Sequence, residues 1–226
     1  MTVETDQMRA HLDRLPIFPL PAAVLLPYEI LPLHIFEPRY REMIADVLEG
    51  DRPIAIAQLA AGWEGSYEGR PDVEPLCGVG IVTRHERLDD GRYNILVRGA
   101  ARVRIERELP PRRLYREVRV RLVDDSHTGA SPAETAEAVE SLQRMLFALC
   151  AARPGPAASA LAQLAARAPD AGGLADIVSA ALLTDFDRRK LALVTLDAVE
   201  RLRLAQNAIA ELLVGSAGGS EVRFRN

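Results

Sequence analysis

The side chains able to carry out chemistry are few and scattered. The four histidines are His11, His34, His85 and His127. None is joined by a second histidine or a carboxylate at metal-motif spacing, so the pattern sets neither a metal centre nor an acid–base pair. His34 lies between Leu33 and Ile35 and reads as a structural side chain on the face opposite its neighbours. Cys77 and Cys150 are far apart, each among apolar residues and outside any CxxC spacing. They read as buried free thiols. The only lysine, Lys190, follows Arg188-Arg189 with no glycine loop before it. Phosphate-gripping loops need glycines that expose backbone N–H groups ahead of the lysine, so nucleotide hydrolysis of that type is excluded. No GxSxG elbow and no HExxH pair occurs. The expectation is a protein without catalytic residues, cofactor or metal.

Composition supports a folded chain. It has 226 residues, 48% apolar and 27% charged, enough for one large domain or two small ones. The net charge is −4, and nearly all the basic charge is arginine. That balance argues against a nucleic-acid partner, although arginine is dense between Arg98 and Arg121. No uncharged apolar run is long enough to span a membrane. The opening MTVETDQMRAHLDR has no apolar core of a signal peptide, so a cytoplasmic location is expected.

The elements that must position these residues follow from periodicity. Residues 1–14 read as a frayed tail or a short helix. The runs LPIFPLP, AVLLP and ILPLHIF read as short strands ended by proline, which lacks a backbone donor. Glu37–Glu49 reads as a helix, with Pro38 in its first turn and Tyr40, Met43, Ile44 and Val47 on one face. Pro53–Leu59 reads as a buried strand, Ala60–Pro75 as an exposed loop, and Leu76–His85 as a strand. Asp90-Gly91 predicts a hairpin turn into Arg92–Arg98, with Tyr93, Ile95 and Val97 on one face. Two further strands are expected at Ala101–Glu108 and Tyr115–Val123. Their arginines, among them Arg102, Arg104, Arg119 and Arg121, fall on the outward faces as solvated partners for Glu and Asp. Strands of this kind suit a small antiparallel barrel. Residues 125–134 read as a linker, 135–214 as helices and 215–226 as a flexible tail. Val139, Leu142, Leu146 and Leu149 stripe the first of these helices, Asp185 caps a later one, and Asp197-Ala-Val-Glu200 has the form of a capping box. Strands first and helices second make an α+β protein.

Three segments carry a family resemblance. Phe18-Pro19-Leu20, Val24-Leu25, Pro27, Leu31-Pro32-Leu33, Ile35-Phe36-Glu37 and Arg39-Tyr40 are similar to the opening of the amino-terminal substrate-binding domain of Lon proteases. Tyr28 stands where that family usually has glycine. Gly78, Asp90-Gly91-Arg92-Tyr93, Gly99 and Arg102 resemble a second block, with Val103 in place of the common phenylalanine. Lys190, Leu193, Leu196, Asp197, Val199, Arg201 and Leu202 resemble a third.

The resemblance implies a PUA-like pseudobarrel over residues 15–124 and a helical bundle over 135–214. It also implies a non-catalytic module that recognises unfolded or extended polypeptides, or an ATP-dependent protease as adaptor or regulator. Lys190 then holds a structural position and is no member of a Ser–Lys dyad. Residues Phe36, Glu37 and Arg39 align with a segment linked to substrate discrimination in Lon proteases, which often carry Gly-Arg where this chain has Phe36-Glu37. The alternative for the charged pair is local: Glu37 favours the helix N-terminus and Arg39 pairs nearby. Trp63 and Tyr67, aromatics in a glycine-rich loop, are the other binding candidates, or fold back over the barrel. Small-ligand or RNA binding stands as the fold-level alternative. The final helix leaves both a monomer and a homodimer open.

Overall fold

The computed structural model describes residues 8–50, 53–65, 69–126 and 129–217. The chain divides into two compact units, Met1–Val123 and Asp124–Asn226. The first holds β1 (Leu15–Leu20), β2 (Ile30–Ile35), α1 (Pro38–Glu49), β3 (Pro53–Gln58), a 3-10 turn at Trp63–Gly65, β4 (Leu76–Arg87), β5 (Tyr93–Glu108) and β6 (Arg116–Val123). The sheet order is β2-β5-β4-β3-β1-β6, and β6 pairs back onto β5. The pairing circuit therefore closes through five strands, with β2 attached at the edge.

The sheet is mixed, which corrects the antiparallel expectation. β1 and β3 run parallel, with Ile17 opposite Ala55. A parallel pair needs a long crossover, supplied here by the segment carrying β2 and α1. Strands of this kind are buried on both faces and read as an unbroken apolar run, as PIAIA does, with no alternation to reveal direction. Ile54 and Ile56 join one core cluster with Phe18, Tyr40, Met43, Ile44 and Val47. Ala55 and Ala57 join the other, with Ile17, Cys77, Val79, Val103, Val118 and Val120. The expected face of α1 is thus the buried one.

β5 is one 16-residue strand instead of the two expected. Its continuity depends on a bulge: Val79 faces Ala101 while Gly80 faces Gly99, leaving Ala100 as the extra residue. One inserted residue exchanges the faces of a strand. Tyr93, Ile95 and Val97 consequently lie in the α1 cluster, and Val103 in the cluster of the closed circuit. Arg102, expected outside, is buried. The turn before β5 is as expected: Gly91 has φ +80°, and Asp90 accepts from the Arg92 backbone N–H at 3.0 Å.

Ala23–Pro27 is not a strand, although it is apolar and Val24, Leu25 and Leu26 are buried. It crosses β4 and β5 at their glycines. A Cβ at Gly78 would overlap the carbonyl oxygen of Leu25, and one at Gly99 that of Leu26. A tight turn follows. Leu26 N–H donates to the Glu29 carboxylate at 3.0 Å, Tyr28 N–H to Gly99 O at 2.9 Å, and Gly99 N–H to Glu29 O at 2.8 Å. Tyr28 takes φ +67°, the single non-glycine positive φ among the described residues.

The second unit holds α2 (Pro132–Ala152), α3 (Pro156–Ala166), α4 (Ala171–Leu182), α5 (Phe186–Val194) and α6 (Ala198–Ala217). Leu142, Leu146 and Leu149 are the buried stripe of α2. Asp185 caps α5 as expected, accepting from Arg188 N–H at 3.0 Å. Asp197 caps α6 through the N–H groups of Val199 and Glu200. Its partner in the expected box, Glu200, pairs with Arg203 instead. The full reciprocal box belongs to Ser131 and Glu134 at α2. α4 is buried along nearly its whole length. Beside it Arg201, 0% exposed, forms ion pairs with Asp125 at 2.5 Å and with Asp176 at 3.2 Å. It also donates to the carbonyls of Thr195 and Leu196. A side chain at Gly172 would overlap the Asp125 carboxylate.

Three substitutions test these constraints by denaturant unfolding. Tyr28→Gly relieves the positive φ and raises stability by roughly 0.5–1 kcal/mol. Gly99→Ala forces the Leu26 backbone away and lowers it. Arg201→Ala strands the Asp176 carboxylate and costs about 3–5 kcal/mol.

Candidate recognition face

Beyond the closed circuit, the far halves of β4 and β5 lie beside β2 as a three-stranded sheet. Cross-strand register builds rows on it. His34 lies opposite Asn94, which lies opposite Glu86; Pro32 lies opposite Leu96, which lies opposite Arg84. Both rows line one concavity of about 720 Å³. Leu31 and Ile35 point into the core, so the alternate positions Ile30, Pro32, His34 and Phe36 face out. Ile30 is 44% exposed and Phe36 60%. Phe36 stacks on the His34 ring, with centroids 6.2 Å apart.

A polar chain fixes the middle of this face. Arg92 Nη1 lies 3.3 Å from His34 Nε2, and His34 Nδ1 lies 2.7 Å from Asn94 Oδ1. Arginine can only donate, so in this pairing Nε2 is the acceptor and Nδ1 the donor to Asn94 Oδ1. Asn94 Nδ2 donates onward to Glu86 at 3.1 Å, while Arg92 Nε binds Asp90 at 2.6 Å. Each polar group holds its neighbour, which orients the surface without assembling a nucleophile and base. No cluster of three or more metal-ligating side chains occurs among the described residues. What this face can do is present an apolar column beside fixed hydrogen-bonding groups.

Phe36 is the one predicted site residue that belongs to this face. Glu37 is the N-cap of α1 but makes no side-chain cap hydrogen bond. Its carboxylate takes Arg39 Nε at 2.9 Å and Nη2 at 2.8 Å, and the Arg39 guanidinium lies 4.7 Å over the Tyr40 ring. The charged pair thus folds back on its own helix. Trp63 is half-buried in the 3-10 turn between β3 and β4 and does not line the concavity. Tyr67 and His127 lie outside the described residues. Ile30, Pro32, Arg84, Glu86, Asn94 and Leu96 were not singled out from sequence. Alternation through ILPLHIF was the available signal, obscured by the proline within it.

Two of the scattered histidines, His34 and His85, line the concavity from different cross-strand rows. The cysteines stand apart from it. Cys77 is buried, and desolvation pushes its thiol up to about 12. Cys150 is half-buried, its thiol raised by the same cause. A thiolate is the reactive form. At pH 8 native Cys77 therefore resists a disulfide reagent that Cys150 reaches, and both react after unfolding. Fast native labelling of Cys77, read by mass spectrometry, would contradict that packing.

Two solved structures share the fold of this chain. The N-terminal domain of a Mycobacterium avium complex Lon protease superposes with TM-score 0.66 at 20% identity, covering 88% of this chain and 99% of that one. A Lon N-terminal domain protein from Xanthomonas campestris gives TM-score 0.56 at 21% identity, covering 89% and 97%. Residues 14–211 match the family model of the ATP-dependent protease La (LON) substrate-binding domain, and the chain belongs to that family. Among curated relatives, a Lon protease 2 of Herpetosiphon aurantiacus is 30% identical over 200 residues, covering 84% of this chain and 23% of that protein. A Lon protease of Desulfosudis oleivorans is 22% identical over 191 residues, with the same coverage. This chain thus spans about a quarter of the length of these relatives. Among the described residues, no helix is long and apolar enough to cross a membrane.

Proposed function

We propose that this chain is a non-catalytic module that binds extended or unfolded polypeptide segments on the outward face of β2, β5 and β4. In this reading residues 15–124 form a PUA-like pseudobarrel, residues 125–134 a linker and residues 135–214 a helical bundle. The module serves ATP-dependent proteolysis as an adaptor or regulator in the cytoplasm. The observation that carries the reading is the exposed column Ile30, Pro32, His34 and Phe36 on an edge strand beside a concavity. An extended peptide repeats its side chains every second residue, the spacing of that column.

Backbone pairing plays a lesser part. Gly99 N–H binds Glu29 O, so the odd positions of β2 pair with β5 and the even positions turn their backbone to the open edge. Pro32, an even position, has no N–H to offer. An added strand would meet a gap there, a device that discourages edge-to-edge aggregation. Recognition therefore rests on side-chain contact, with backbone help from Ile30 and His34.

Fluorescence anisotropy with a labelled, carboxymethylated unfolded protein tests the reading. Ile30→Ser and Phe36→Ser, both on exposed positions, should each weaken binding about tenfold, the scale of a lost apolar anchor. Trp63→Ala should leave it nearly unchanged. Equal binding by all three variants and the native chain would rule out this face, and loss confined to Trp63→Ala would move the site to the turn after β3.

A further inference from the structure

We infer that Arg104 on β5 and Arg121 on β6 form a binding site for a phosphate group. The two arginines are directly opposite each other in the β5–β6 register. Like charges in that position repel, and strands ordinarily avoid or neutralise them. Two nearby arginines are neutralised: Arg119, which faces Arg107, pairs with Asp13 at 3.1 Å and Glu106 at 3.4 Å, and Arg116 with Glu108 at 2.7 Å. Among the described residues, neither Arg104 nor Arg121 has a carboxylate within ion-pair distance. Arg104 is half-buried, and its Nε is buried without an acceptor. A buried donor without a partner costs free energy unless an acceptor arrives from outside the chain.

The charge balance selects the ligand. Two guanidinium groups present two positive charges in planar forks suited to oxyanions. A phosphate monoester carries about −1.5 to −2 at pH 7 and three acceptor oxygens, enough to answer both forks. A single carboxylate would leave one arginine uncompensated. This site uses different residues from the β2 column and does not depend on polypeptide binding there.

The full chain in chloride buffer is titrated calorimetrically with inorganic phosphate, with phenyl phosphate as a monoester, and with acetate, all at matched ionic strength. One saturable site for phosphate or phenyl phosphate, and none for acetate, is the expected result. Binding of both would mean that the free ion suffices, and binding of phenyl phosphate alone that the ligand is an ester; either supports the site. Arg104→Gln and Arg121→Gln should each weaken binding at least about tenfold, the loss of one charge-assisted hydrogen bond. Arg144→Gln, remote on α2, should not. Matched thermal midpoints and far-ultraviolet spectra confirm that the variants fold. If one does not fold, the contrast between phosphate and acetate in the native chain still decides. Absence of a saturable site, equal binding of acetate, or unchanged binding by the folded double variant would overturn the inference.

Discussion

Backbone packed on backbone is the constraint from which the first unit follows. The carbonyls of Leu25 and Leu26 rest where side chains of β4 and β5 would otherwise stand, and only glycine at positions 78 and 99 leaves that room. This contact ends the crossing segment in a turn so tight that Tyr28 is driven to positive φ. The buried Glu29 carboxylate satisfies a backbone donor of that turn. The turn delivers β2 to the edge of β5 in a register that sends Leu31 and Ile35 inward. The exposed column on β2 is thus set by two glycines on other strands. Loosening that contact would free β2 to slip, and a slip of one residue would bury the column and expose the core face.

The bulge at Ala100 does the second part of the work. It lets one long strand serve two cores, giving its first half to α1 and its second to the closed circuit. Past the circuit, the far ends of β4 and β5 have solvent on one face, and the rows His34–Asn94–Glu86 and Pro32–Leu96–Arg84 arise there. Arg201 organises the helical unit in a comparable way, since its guanidinium gathers Asp125, Asp176 and two carbonyls into one buried network. Such a network specifies an arrangement more than it adds net stability.

Much of this fold is legible in the sequence where local rules act alone. The face of α1, the Asp90-Gly91 turn, the Asp185 cap and the leucine stripe of α2 all depend on neighbours a few residues away. The misreadings share another cause. The parallel pairing of β1 and β3, the irregular path of Ala23–Pro27 and the burial of Arg102 are set by distant strands. Motif glycines 78 and 99 were visible as residues, but the backbone they admit was not. For the candidate face, Phe36 was found through family resemblance, while Ile30 and Pro32 needed the observed alternation of β2. Glu37 and Arg39 were equally visible in sequence, and their mutual ion pair, read only in three dimensions, separates them from the exposed column.

The proposed polypeptide site is the outward face of β2, β5 and β4. Amide hydrogen exchange of the native chain, with and without a saturating unfolded client, tests it most directly. Slowed exchange is expected at the edge amides of Ile30 and His34 and along residues 28–36, with the helical unit unchanged. Protection confined to the helices, or to the turn at Trp63, with none along β2, would contradict it.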